Sequence, residues 1–508
     1  MSNSKQKNIL ILFAPAFLEF GCDLVKSLLK TGTEIKVTAL CTGGKRTVNY
    51  VNKNLSSEIL IKVIDYELEE RKWLLSKKID LDYLSSYEEH LGYNYLNKLI
   101  IADRRLGKSF VRGGLVRPSK LADQSIKHSG NLQLKYFEGA IKFQEALFKK
   151  NKYDLIFLYA VAGAPAVLLS LFAKFKNIKL RRLQHTRIQN RVHLDKSYQG
   201  GLQIIREKFL DDKIQPSLEG LKKAKSHLDS FRKKPTLPEY SSFNHKKKAQ
   251  PLKKLITYII YFFAYQLKLF LPKTLKETIT RDKLRHKQFY FFRSLNSRFA
   301  SYNFDEFDPN SNYIYFPLHV DPEASTMVLS PFHTNQLFVI ESLAKNLPSN
   351  FNLVIKEHIP MIGFRPKGFY KKIQSFPRVK LINPSFDQFS IIKNANIVSA
   401  ITGTAGLEGI LLKKKVLLFE KETPYSCLEE SVIVESDYSK LNQRIRELIE
   451  MKPIEDDRVL RYLGFVFDES IEMNNSLLWG KYSEQPKEEK DTFIAELTEQ
   501  MNILIHLS

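Results

Sequence analysis

Between residues 313 and 419 the chain repeats one pattern four times: an apolar run, a polar tip, then a helical segment. The runs are YIYFPL (313–318), the stretch FNLVIKEH, then VKLI and IVSAI, and KKVLLFE closes the series. Runs this short and continuously apolar predict strands buried on both faces, which is the situation inside a parallel sheet covered by helices. Strand and helix alternating in this way predict an α/β layer architecture, with ligand groups presented at the carboxyl ends of the strands. The polar tips lie where that rule expects them: HVDPEAS after the first run, KEH after the second and TGTAGLEG after the fourth.

The first two hundred residues predict a second unit of the same class. Residues 8–13 (NILILF) read as a buried strand, 22–30 as a helix stopped at Thr31-Gly32, and 34–41 as a second strand. That βαβ opening lacks a GxGxxG turn, so a nicotinamide cofactor is not indicated. Residues 55–150 are read as mostly helical, 154–159 (DLIFLY) as a strand, 166–175 as a helix and 179–183 as a further strand. The last of these ends in QHTRIQNR, which gathers His185, Arg187, Asn190 and Arg191 at a strand tip. A solvated basic loop is the plain alternative there. The expected organisation is therefore a domain over 1–201, a basic segment over 202–300, a domain over 301–440 and C-terminal helices over 441–508.

At 508 residues two or three domains are expected, and a composition 43% hydrophobic and 26% charged is that of a globular chain. The three cysteines, Cys22, Cys41 and Cys427, have no metal-ligand spacing and suit a reducing cytoplasm. The N-terminal apolar run is too short for a signal peptide, and no stretch has the length of an uninterrupted spanning helix.

A net charge of +24 asks for an anionic partner. Its densest part is 202–300, with about 23 Lys or Arg against about 8 Asp or Glu. Within it, residues 255–271 (LITYIIYFFAYQLKLFL) are aromatic-rich and flanked by lysines across 245–276. This pattern suits a helix lying in the interface of an anionic membrane, with a core helix of a helical insertion as the alternative. No nucleic-acid-binding motif accompanies the charge, so nucleic acid is not expected as a partner.

Three tips carry candidate chemistry. In TGTAGLEG, Thr402, Gly403 and Thr404 can offer backbone N–H groups and hydroxyls to a phosphate at a helix N-terminus. Gly403 and Gly406 allow close backbone approach, and Glu408, one turn on, can accept from ribose hydroxyls. The alternative is a tight turn with a Thr cap. In KEH, Lys356 and His358 suit a phosphate leaving group, with Glu357 pointing away from the cleft and Arg365 able to join them. In HVDPEAS, His319, Asp321 and Glu323 offer a general base for an acceptor hydroxyl, although Glu323 could instead cap the next helix. No nucleophile elbow, Walker A loop or HExxH occurs, which leaves hydrolase, ATPase and zinc-protease readings without support.

FPLHVDPEAS, VIKEH with GFRP and FY after it, and ITGTAGLEG followed by KKVLLFE together resemble the bacterial capsule polysaccharide biosynthesis family, which includes the Kdo transferases of the lipid-linked capsule linker. The resemblance covers most of 1–440 and is strongest over 313–425. It implies a GT-B-like glycosyltransferase: two Rossmann-like domains facing across a cleft, with the nucleotide-sugar donor held by the second. Lys356 and His358 would contact the donor phosphate, Thr402, Gly403 and Thr404 would form the phosphate turn, and Glu408 would take the ribose. The acidic residues of 319–325 would lie near the reacting sugar. Ile359 stands where the family usually has Pro, and HVDPEAS lacks the doubled acidic residues of the Kdo transferases. The expected protein is a cytoplasmic enzyme at the inner face of the membrane, acting without a cofactor or bound metal on a lipid-linked or glycan acceptor. A sugar-nucleotide epimerase, a non-catalytic capsule-assembly scaffold and, more distantly, a glycerophosphate transferase are the alternatives.

Overall fold

The computed structural model describes residues 6–74, 78–103, 131–236, 303–473 except 322, 363, 364 and 367, and 482–506, together with Ile256, Ile259, Ile260 and Phe263. Those four positions apart, the expected membrane-interface segment 255–271 and the remainder of 245–276 lie outside the described residues.

The chain builds two sheets. The first runs β13-β6-β5-β4-β1-β2-β3, where β1 is Lys7–Phe13, β2 Ile35–Cys41, β3 Leu60–Asp65, β4 Leu155–Leu158, β5 Lys179–His185, β6 Arg191–Asp195 and β13 Ser470–Glu472. From β3 across to β5 the pairs are parallel; β6 and β13 add to the edge antiparallel. The second sheet is wholly parallel in the order β12-β11-β10-β7-β8-β9. Its strands are β7 Tyr313–Pro317, β8 Asn352–Lys356, β9 Val379–Ile382, β10 Ile397–Ala400, β11 Lys415–Leu418 and β12 Val432–Val434. Two doubly wound, Rossmann-like units of this kind are the GT-B-like α/β class expected from the sequence.

Strand order decides where a ligand can go. In the second sheet the chain moves outward from β7 through β8 to β9, then returns to β10 on the other side of β7. The connections leave β7 and β10 in opposite directions and open a crevice at their carboxyl ends, the usual ligand position in such sheets. The tips that follow these strands are HVDPEAS and TGTAGLEG.

The division of the chain differs from the one read in the sequence. Residues 202–233 are not part of a separate insertion: the helices Gln203–Leu210 and Leu218–Lys233 belong to the second domain. Ile205, Phe209, Ala224, Leu228 and Phe231 share its core with Phe389, Leu411 and Tyr462. The stripe at 224, 228 and 231 has helical spacing, but the lysines between hide it when composition alone is read. Residues 441–508 are likewise not one cap. The helices Leu441–Glu450 and Asp456–Asp468 stay with the second domain, whereas β13 and the helix Lys487–His506 return to the first. There Phe493, Leu497 and Met501 pack with Phe20, Val25 and Leu28 of the helix Leu18–Lys30. Thr498 Oγ1 and Ser27 Oγ lie 2.9 Å apart, and Thr33 Oγ1 donates to Asn502 Oδ1 at 2.9 Å.

Besides β13, which falls in the stretch expected as C-terminal helices, two strands lay in stretches read otherwise. β3 falls within residues read as mostly helical; it is an edge strand with Ile61 and Lys62 exposed, so the usual alternation is weak. β6 begins inside what read as a basic loop.

Candidate functional site

At the tip of β10, Gly403 is the N-cap of the helix Thr404–Leu411 in ordinary extended backbone (φ −72°). What the glycines there supply is room. A Cβ on Gly403 would lie 3.3 Å from Cε1 of His319, and one on Gly406 would lie 2.3 Å from the Tyr425 hydroxyl. Tyr425 in turn donates to the Gly403 carbonyl and fixes the turn from beneath. The Thr402 hydroxyl is occupied, donating to Ser325 O at 3.2 Å, which ties the β10 tip to the β7 tip. Thr404 faces the cavity described below.

The HVDPEAS tip divides into residues that hold the site and residues open to it. Asp321 is buried and accepts from Arg365 at 2.7 Å, from Thr326 at 3.1 Å and from Gln336. Gln336 also clamps the backbone of His319, accepting from its N–H at 2.7 Å and donating to its carbonyl at 3.2 Å. The His319 Nε2 atom is buried and has no hydrogen-bond partner among the described residues. Burial, then the charges of His358, Arg187 and Arg365, push this imidazole down to about 3, so it is neutral at pH 7. Glu323 is exposed, and Ser325 Oγ donates to it at 2.8 Å. It occupies the N-cap position without a side-chain capping bond, so the capping alternative does not hold.

In KEH the inward carboxylate is Glu357. It is buried and paired with Arg365 at 2.7 Å, and Tyr370 donates to it at 2.9 Å. Arg365, with a side chain 3% exposed, also donates to His319 O at 2.6 Å. Its guanidinium is fully committed within the protein and serves as a strut between the β7 and β8 tips. Lys356 donates to Phe386 O at 2.7 Å. Burial lowers the pKa of its ammonium, while Asp387 and Glu408 oppose that shift. His358 is half-buried, and its N–H donates to Glu357 Oε1 at 2.7 Å.

Glu408 is 5% exposed. Its Oε2 accepts from Gln388 Nε2 at 2.5 Å, and its Oε1 has no partner among the described residues. Burial pushes the carboxyl up to about 7, against the pull of Gln388, Lys356 and Arg187. From the first domain, Arg187 reaches over and donates to Thr402 O. Arg187 and Gln189 both hold left-handed backbone (φ 69° and 47°), a strain that such a loop carries where it must present side chains to a partner surface.

A cavity of about 270 Å³ lies between the domains, lined by Arg187, Asn190, His227, Phe231, Thr404 and Glu408 among others. Arg191 is not with them. It lies in β6, buried, and donates to Ser470 Oγ at 2.8 Å, to Phe467 O at 3.3 Å and to Ser470 O, pinning the returning chain. Sequence reading missed His227, Phe231, Gln388 and Tyr425; the first two lie in the lysine-rich stretch, where two ring side chains four residues apart were the available signal. Among the described residues no group of three His, Cys, Asp or Glu is gathered as a metal would need, and no helix is long and apolar enough to cross a membrane.

Residues 226–425 match the model of a family described as capsule polysaccharide biosynthesis protein. No curated protein matches the chain. Solved structures similar to it include the beta Kdo 2,7 transferase of KpsC from Thermosulfurimonas dismutans, at 13% identity over 71% of this chain and 89% of that one, with a TM-score of 0.34. The beta Kdo 2,4 transferase of the same protein is similar at 12% identity over 61% and 87%, with a TM-score of 0.31. UDP-GlcNAc 2-epimerase from Neisseria meningitidis is similar at 13% identity over 91% and 97%, with a TM-score of 0.27.

Proposed function

We propose that this chain, which carries the capsule polysaccharide biosynthesis family's region over residues 226–425, is a glycosyltransferase that moves a sugar from a nucleotide donor to a lipid-linked or glycan acceptor. The observation that carries this reading is the convergence at the β7/β10 crevice. Two buried polar atoms have no partner among the described residues: His319 Nε2, whose ring lies against Gly403, and Glu408 Oε1, in the helix that opens at Gly403.

The donor phosphate would lie at Gly403 and Thr404, where the backbone N–H groups of the helix start and its dipole favour an anion. Lys356 and His358 would take up the negative charge that grows on the leaving phosphate as the glycosidic bond breaks. Glu408 Oε1 would accept from the ribose. Among the acidic candidates Glu323 is the exposed one, with Asp321 and Glu357 held by Arg365, so Glu323 is the group suited to take the acceptor hydroxyl's proton. The cationic groups around the turn supply the charge stabilisation a divalent ion would otherwise give, and we propose that no metal is required; activity unchanged in EDTA is the expected result. The basic 245–276 segment would hold the cleft at the inner face of an anionic membrane, where a lipid-linked acceptor is presented.

The test is a thermal-shift screen with CMP, CDP, UDP, GDP and their sugars. A ligand that binds only the folded state raises its melting temperature, so one nucleotide should stand out and Glu408→Ala should abolish its shift. No shift from any nucleotide with folded protein would overturn the reading in favour of a scaffold. Turnover of a free nucleotide sugar without acceptor would overturn it in favour of an epimerase.

A further inference from the structure

Thr404, Leu407, Glu408 and Leu411 all line the interdomain cavity. They stand at i, i+3, i+4 and i+7, one face of the Thr404–Leu411 helix. Their chemistry changes along that face. The helix start, whose first N–H groups have no partner within the helix, comes first, a carboxylate whose Oε1 has no partner among the described residues comes one turn later, and leucine comes at the far end. Across the cavity at that end stand His227 and Phe231 of the helix Leu218–Lys233, again one turn apart, with ring centroids 6.0 Å from each other. The Phe231 ring is braced edge-on by Phe389 at 5.7 Å. His227 Nε2 is buried and, like Glu408 Oε1, has no hydrogen-bond partner among the described residues.

Helix start, hydroxyl acceptor and an apolar end with a polar ring atom beside it form a sequence that matches phosphate, ribose and base. Resting on the donor-binding reading above, we propose that the nucleoside lies along this helix face, with its base between Leu411 and the His227–Phe231 pair, and that His227 Nε2 bonds the edge of the base. Burial pushes the His227 imidazole down to about 4, so it is neutral at pH 7 and has one donor and one acceptor nitrogen to offer. Base recognition then comes from a helix that joins the second domain's core ahead of its own sheet in the chain, outside the strand tips that hold the phosphate.

The experiment compares two probes by titration calorimetry on the full chain: the nucleotide picked out by the thermal-shift screen, and ribose 5-phosphate, which lacks a base. His227→Leu removes the edge contact and should weaken the nucleotide about tenfold. His227→Trp, at a half-buried helix position, fills that end of the cavity and should weaken it about a hundredfold or more. Ribose 5-phosphate should bind both variants as it binds the unaltered protein, which also reports that the site remains folded. An unchanged nucleotide affinity in His227→Trp overturns the base site while leaving the donor reading standing. So does a parallel loss of ribose 5-phosphate, which would put His227 elsewhere along the ligand. If neither probe binds the unaltered, folded protein, the donor reading itself fails and this inference falls with it.

Discussion

Arg365 and Glu408 are both ionisable groups beneath the surface, and their partners separate them. Arg365 meets two carboxylates, and although burial alone would lower its pKa, Glu357 and Asp321 raise it. Removing it would strand two buried negative charges, so Arg365→Met should cost about 3–5 kcal/mol in urea unfolding. Glu408 makes no salt bridge among the described residues, and burial holds its carboxyl at about 7, above the ordinary 4.5, against the pull of Gln388, Lys356 and Arg187. The folded chain therefore binds this proton more tightly than the unfolded one. The stability the group lends is full below about 4.5, declines as pH rises and is gone above about 7. Glu408→Gln should accordingly raise the melting temperature at pH 8.5 more than at pH 4.5, while weakening the nucleotide about tenfold or more. If Glu323 is the base, Glu323→Gln should cut kcat by about 10²–10⁴ with little change in donor affinity. Asp321→Asn should instead show as lost stability. The sequence offered all these residues as equals. Spacing gave their identity, but which carboxylate an arginine eight or forty-four positions away would claim is a matter of tertiary packing.

At the level of elements, what could be read depended on burial. Each strand of the second sheet from β7 to β11 is buried along most of its length and stood out as an apolar run. β3 and β13, at the edges of the first sheet, carry Lys62 and Glu472 to solvent and left no such trace. The TGTAGLEG turn was legible because its glycines announce close approach, but the partner in that approach was not. It is Tyr425, which lies against Gly406 and bonds Gly403. An alanine at 406 must displace that ring, so Gly406→Ala should lower the melting temperature by several degrees and loosen the turn at Gly403; on the proposed donor reading, Tyr425→Phe, which keeps the packing, should weaken nucleotide binding more than it lowers stability. Far-UV and near-UV circular dichroism with the nucleotide titration would separate the two effects.

For the whole molecule, net charge set an expectation of an anionic partner that the fold then redistributed. Part of the basic excess rides on the outward face of the Leu218–Lys233 helix, whose apolar face is in the core. Its concentration around the apolar 255–271 run remains the basis for expecting attachment to a bilayer. The full chain should sediment with vesicles containing anionic lipid and be released as salt is raised; a variant lacking 245–275 should stay in the supernatant, and its continued pelleting would end the idea.

The chain leaves the first domain after β6, completes the second, and comes home at β13. The second domain is thus spliced into the middle of the first, and the returning chain is anchored there by Arg191 and the Lys487–His506 helix. A genetic exchange at a single breakpoint would give a hybrid whose returning strand and helix came from the wrong parent and met an unfamiliar sheet edge. Exchanging the second domain between chains of this architecture takes two coordinated junctions, one near 196–202 and one near 468–470.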